Sequence, residues 1–66
     1  MSPAGPGAAC AEELRGVYRR RLSGQIRAEI RAWRATDSLL PSVVSERAAH
    51  LEAAGDVLRE RGEQIP

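Results

Sequence analysis

The apolar residues Leu14, Val17, Tyr18, Leu22, Ile26, Ile30 and Trp33 constrain the fold of this chain more than any other feature. Their spacings of three and four put them on one side of a helix, where such neighbours stack above one another. Steps of four dominate, and each advances about 40° around an α-helix. In a straight helix Leu14 and Val17 therefore point well away from Ile26, Ile30 and Trp33. Ser23-Gly24 sits where the stripe must be realigned. A lone glycine costs roughly 1 kcal/mol inside a helix relative to alanine, and without a second breaker it rarely ends one. The expected fold is all-α: a two-helix antiparallel hairpin, with the first helix over about 9–35 and the second over about 39–61. Three short helices with a break at 23–24 are the alternative.

A second stripe supports the hairpin. Leu40, Val44, Ala48, Leu51, Ala54 and Leu58 recur at helical spacing, with Val43 and Val57 beside them. Between the stripes, Thr36-Asp37-Ser38 and Pro41 mark a reversal. Pro41 suits a first helical turn, where its missing N–H does no harm. Arg59 and Arg61 suit the negative end of the helix dipole, and Gly62 suits the position just beyond it. Residues 1–7 hold two Pro and two Gly and are expected to form a disordered arm. The domain is expected over 8–62, with 63–66 a short frayed tail.

Composition bounds the rest. A chain of 66 residues buries only about 60% of its unfolded surface, and such small folds usually rely on a disulfide, a metal or a partner. One Cys excludes an intrachain disulfide, and one His with one Cys cannot complete a tetrahedral zinc site. No metal or cofactor is expected, so association is the remaining source of stability. No apolar run approaches the roughly 20 residues of a membrane span. The N-terminus lacks a secretory signal's basic and apolar regions. The expected location is therefore cytoplasmic or another reducing intracellular compartment.

Charge is polarised along the chain although the net charge is only +1. Residues 15–34 hold seven of the ten arginines and one glutamate, whereas 35–66 hold three arginines and six acids. On a continuous helix Arg20, Arg27, Arg31 and Arg34 would form one lane within roughly 60°, opposite the Leu22/Ile26/Ile30/Trp33 face. Arg19, Arg20, Arg27, Arg31 and Arg34 are the candidate contacts to an anion or nucleic acid. A solvated face matched to the acidic second helix is the plainer reading. One Trp and one Tyr leave few aromatics for stacking bases.

Catalytic groups are not assembled in the sequence. His50 is the only histidine and lies on the lane Val43–His50–Val57, at the edge of the second stripe. No nucleophile or paired acid accompanies it, and no glycine-rich phosphate loop is present. No small-molecule substrate is expected. The expected function is a non-enzymatic protein–protein interaction module, which self-associates into a helical bundle or docks on a larger protein. Its interface is expected at Leu22, Ile26, Ile30 and Trp33 on the first helix and Val44, Leu51 and Leu58 on the second. Nucleic-acid binding through the arginine-rich segment 15–34 is the alternative. Binding to an anionic membrane surface ranks below both, because Glu29 interrupts a weak apolar face.

Overall fold

The computed structural model describes residues 6–66, with side chains from residue 12 onward. It contains three helices: α1 over Pro6–Arg19, α2 over Ser23–Ala35 and α3 over Pro41–Glu60. No strand occurs among the described residues. The all-helical expectation holds, and the chain follows the three-helix alternative rather than the hairpin. The break falls at 20–22, and Ser23-Gly24 instead opens α2. Of the arm expected over 1–7, residues 1–5 lie outside the described residues, while Pro6 and Gly7 belong to α1.

The break resolves the drift of the first stripe. At the end of α1 the hydrogen bonds tighten to three-residue spacing, Arg20 N–H donating to Val17 O and Arg21 N–H to Tyr18 O. Leu22 turns extended at φ −71°, ψ 149°. Its N–H donates to Gln25 Oε1 at 3.3 Å, which is half of a capping box; leucine has no acceptor for the other half. The carbonyls freed by the break would be poorly satisfied without Arg61. Its guanidinium donates to Arg21 O at 2.8 Å, Arg19 O at 3.1 Å and Ser23 Oγ at 2.8 Å. The residue expected to serve its own helix end thus clamps the junction of the other two helices.

Cross-helix pairs fix the topology. Arg15 reaches Glu52 and Asp56 while Arg19 reaches Glu60, so α1 runs parallel to α3. Ser23 lies by Arg61 and Thr36 by Arg47, so α2 runs antiparallel to α3. The core between them is Tyr18, Ile26, Ile30, Ala53, Ala54, Val57 and Leu58, with Leu14, Leu51 and Ile65 packed against it. The Cα trace measures 33 × 30 × 15 Å. Its thin dimension is little more than one helix diameter, so each helix keeps a face toward solvent.

The buried face of α3 differs from the expected stripe. Val43, His50 and Val57 form its centre line, while Leu40, Val44 and Ala48 are exposed. The face extends toward that lane, while Leu51, Ala54 and Leu58 of the expected stripe stay in or against the core. Burial on two sides explains the shift, because α1 and α2 dock on either flank of the lane and not on the apolar stripe alone. The bounds of α3 agree with the sequence. Pro41 sits in the first turn, and Gly62 takes φ +74° just past the end. Gly62 N–H donates to Arg59 O and Glu63 N–H to Leu58 O, a Schellman closure.

The tail over 63–66, expected to fray, makes contacts in the structure. It folds back along α2 and α3, where Glu63 pairs with Arg27 at 3.0 Å and Arg34 donates to Pro66 O. Ile65 packs over Gly55, where an added Cβ would lie 3.2 Å from the Ile65 Cδ1. The absent side chain at Gly55 makes room for the isoleucine.

Candidate functional site

Each candidate side chain is placed by the break and by the rotated face of α3. Of the residues expected at an interface, Ile26, Ile30 and Leu58 are buried in the core. Leu51 is half-buried against them, and Trp33 is half-buried against His50. The internal core therefore uses most of that surface. Leu22 is 74% exposed and Val44 37% exposed. Leu22 is exposed because it is the extended hinge between α1 and α2 and not a face of a helix.

The arginines do not form one lane. The break separates Arg20 from Arg27, Arg31 and Arg34, and most are held within the fold. Arg19 makes two hydrogen bonds to the Glu60 carboxylate, at 2.8 and 3.0 Å. Arg19 holds the Glu60 carboxyl below its usual range, chiefly through these bonds. Arg15 joins Glu12, Glu52 and Asp56. Arg27 and Arg34 hold the tail, and Arg21 pairs with Glu29. Among the described residues, Arg20 and Arg31 alone of the five anion candidates make no side-chain contact of this kind. Acids on α3 and the tail thus pair with Arg15, Arg19 and Arg27 of a segment that looks strongly basic in the sequence.

The only histidine and both aromatic residues meet where α1, α2 and α3 converge. Tyr18 Oη lies 2.9 Å from Glu29 Oε1 and 2.8 Å from His50 Nδ1. A phenol has one proton to donate, and a carboxylate can only accept. Tyr18 therefore donates to Glu29, and His50 Nδ1–H donates to Tyr18. This sets the neutral tautomer of His50 and leaves its Nε2 as an acceptor. Trp33 stacks on the imidazole with centroids 4.6 Å apart and planes inclined by 24°. Arg21 completes the cluster, with its Cζ 5.4 Å from the centre of the Tyr18 ring.

Burial sets the ionisation of the cluster. Tyr18 is pushed up from its ordinary value by burial, with Arg21 opposing. His50 is pushed down by burial, with Glu46 opposing and Arg21 adding. Both groups are thereby kept neutral near pH 7. Glu29 has its oxygens engaged by Tyr18 and Arg21. The cluster is a three-helix polar lock whose members satisfy one another. The sequence places Tyr18 in the first apolar stripe, Glu29 beside that face and His50 at the edge of the second stripe, with nothing to group them. Only the folding back of α2 brings them together, so no spacing in the sequence could have grouped them.

Two of the open surfaces carry apolar residues of α3 or its start. At the corner between α2 and α3, Leu39 is 92% exposed, Leu40 63% and Val44 37%. On the other flank of α3, a groove of about 300 Å³ runs between α1 and α3, lined by Glu13, Leu14, Val17, Glu46, Ala49 and His50. Among the described residues, no cluster of three or more His, Cys, Asp or Glu could hold a metal ion. No described helix is long and apolar enough to cross a membrane. Compared with protein-family models, with curated proteins and with solved structures, the chain matches none.

Proposed function

We propose that this chain is a small helical protein–protein interaction module without catalytic activity. The observation that carries the proposal is the apolar corner of Leu39, Leu40 and Val44. Leu40 and Val44 are one helical turn apart at the start of α3, and Leu39 precedes them. An apolar surface kept in water beside an already closed core is characteristic of a docking site.

Nucleic-acid binding, the alternative, draws less support. Arg19, Arg27 and Arg34 would have to leave internal partners to reach phosphate, which leaves Arg20 and Arg31. Too few cations remain for a steep dependence of affinity on salt.

Crosslinking capture tests the proposal, with wild-type chain and the Leu40→Glu/Val44→Glu double variant as baits. The wild type is expected to yield protein crosslinks at the start of α3 that the double variant loses while keeping its helicity. Equal capture by both baits, or no protein captured and no self-association, overturns it. A nucleic-acid affinity that falls by orders of magnitude with added salt would favour the alternative.

A further inference from the structure

We propose that two copies of this chain pair through α1, antiparallel, about a two-fold axis passing between Gly16 and Val17. This rests on the interaction role proposed above and names one partner for it, a second copy.

Three observations converge on this face. The first is unpartnered charge. Among the described residues, every acid except Glu13, Asp37 and Glu46 has an arginine partner. Two of those three, Glu13 and Glu46, flank the groove beside α1. Arg20, at the end of α1, likewise has no acidic partner. Glu13 and Val17 share one face of α1, and Arg20, just beyond the helix end at Arg19, follows three residues after Val17 and is tied to it by its N–H bond to Val17 O.

The second observation is an apolar centre between these charges. Val17 is 39% exposed, with the groove beside it. The third is Gly16. Glycine is unfavourable inside a helix, and here a Cβ would meet nothing within 4 Å. The chain's own packing gives no reason for glycine at this position.

Antiparallel pairing accounts for all three. The midpoint of Glu13 and Arg20 falls between Gly16 and Val17. A second α1 laid antiparallel about that point puts Glu13 opposite the other copy's Arg20, twice. Each Val17 then faces the other copy's Gly16, where the missing side chain lets the helices approach closely. Glu46, on the adjacent α3, adds a second carboxylate near the incoming arginine. The face is self-complementary, as a two-fold interface requires. A parallel pairing would instead set Glu13 against Glu13 and Arg20 against Arg20.

Sedimentation over a concentration series tests this with the full chain, Glu13→Arg, Arg20→Glu and the double swap. Both positions are exposed and, among the described residues, without an ion-pair partner, and circular dichroism checks that helicity is kept. The wild type is expected to dimerise as concentration rises. Each single change is expected to weaken the dimer by roughly ten-fold, since it breaks two exposed pairs per dimer. The double swap is expected to restore it, and the two single variants, weak alone, to associate when mixed. Gly16→Leu is expected to abolish the dimer by blocking close approach. A wild type that stays monomeric throughout overturns the pairing, as does a double swap that fails to recover association or a Gly16→Leu variant that dimerises normally. If the chain stays monomeric but captures another protein through Leu40 and Val44, the pairing fails and the broader interaction role stands. If it does neither, both fail.

Discussion

The two halves of α3 have similar apolar content and opposite fates. Its C-terminal half holds all five of its buried residues, Ala53, Ala54, Gly55, Val57 and Leu58. Its N-terminal half carries Leu40 and Val44 into solvent. The difference lies in what reaches them. The C-terminal half is enclosed by the Schellman turn, by the returning tail with Ile65, and by the Arg61 clamp at the α1–α2 junction. The N-terminal half meets the end of α2, tied by Arg47 to Thr36 O at 2.9 Å, and reaches α1 only toward its own end, through His50 and Tyr18. Apolar spacing creates a face that can be buried, but only neighbouring chain decides whether it is.

This contrast can be broken by paired substitutions. Leu58→Ala, at a fully buried site, is expected to cost about 2–5 kcal/mol. Val44→Ala, on the same helix, is expected to change stability by less than about 1 kcal/mol. Chemical denaturation of both variants measures the difference, and similar losses would mean that the corner is not free. A smaller effect is expected at the three-helix lock. Tyr18→Phe removes the hydroxyl between His50 and Glu29, leaving their facing groups unpaired at a cost of about 1–3 kcal/mol. A neutral result would show that the lock is not a structural element.

Closure of the C-terminal half gives the next test. Gly62→Ala forces a side chain into the left-handed region at φ +74° and is expected to cost about 1–2 kcal/mol. Its midpoint of thermal unfolding should fall. The smallest expected effect concerns pH. The pKa of His50 is lowered in the folded chain from its ordinary value of 6.5, so the unfolded state binds the proton more readily. The associated stability is fully present above that ordinary value and is lost as pH falls through the lowered folded value. A series of unfolding midpoints from neutral to mildly acidic pH should show this loss. His50→Asn, which keeps a side-chain N–H donor, should flatten it. Carboxylates such as Glu60, also lowered, contribute their own loss at still lower pH.

Much of the fold was legible because it depends on local chemistry. The helical class follows from residues of high helix propensity and the spacing of three and four. The limits of α3 follow from Pro41 and Gly62, whose backbone restrictions act without any partner. The reversal over 36–41 is local too, with Ser38 Oγ accepting from Leu40 N–H at 3.3 Å. The candidate site was less legible. Val44 was expected at an interface, but Leu40 and Val17 were read only as members of the apolar stripes and Leu39, Glu13 and Gly16 were given no such role, because their significance lies in having no partner. A missing partner is a property of the folded surface and leaves no mark in spacing. Ile65, an apolar residue just beyond a helix-ending glycine, was the available hint that the tail packs.

The sequence by itself determined that the chain is helical, where α3 begins and ends, and that one straight helix could not carry the drifting stripe from Leu14 to Trp33. These are consequences of backbone geometry and residue preference over a few neighbouring positions. Only the tertiary structure decided that the break falls at 20–22 and not at Ser23-Gly24. The guanidinium that satisfies the freed carbonyls comes from Arg61, some forty positions away. Tertiary structure also decided which arginines are neutralised, since most of the pairs need an acid on another helix or the tail. It turned α3 so that His50 faces inward and Val44 outward, because burial on two flanks outweighs the pattern of one stripe.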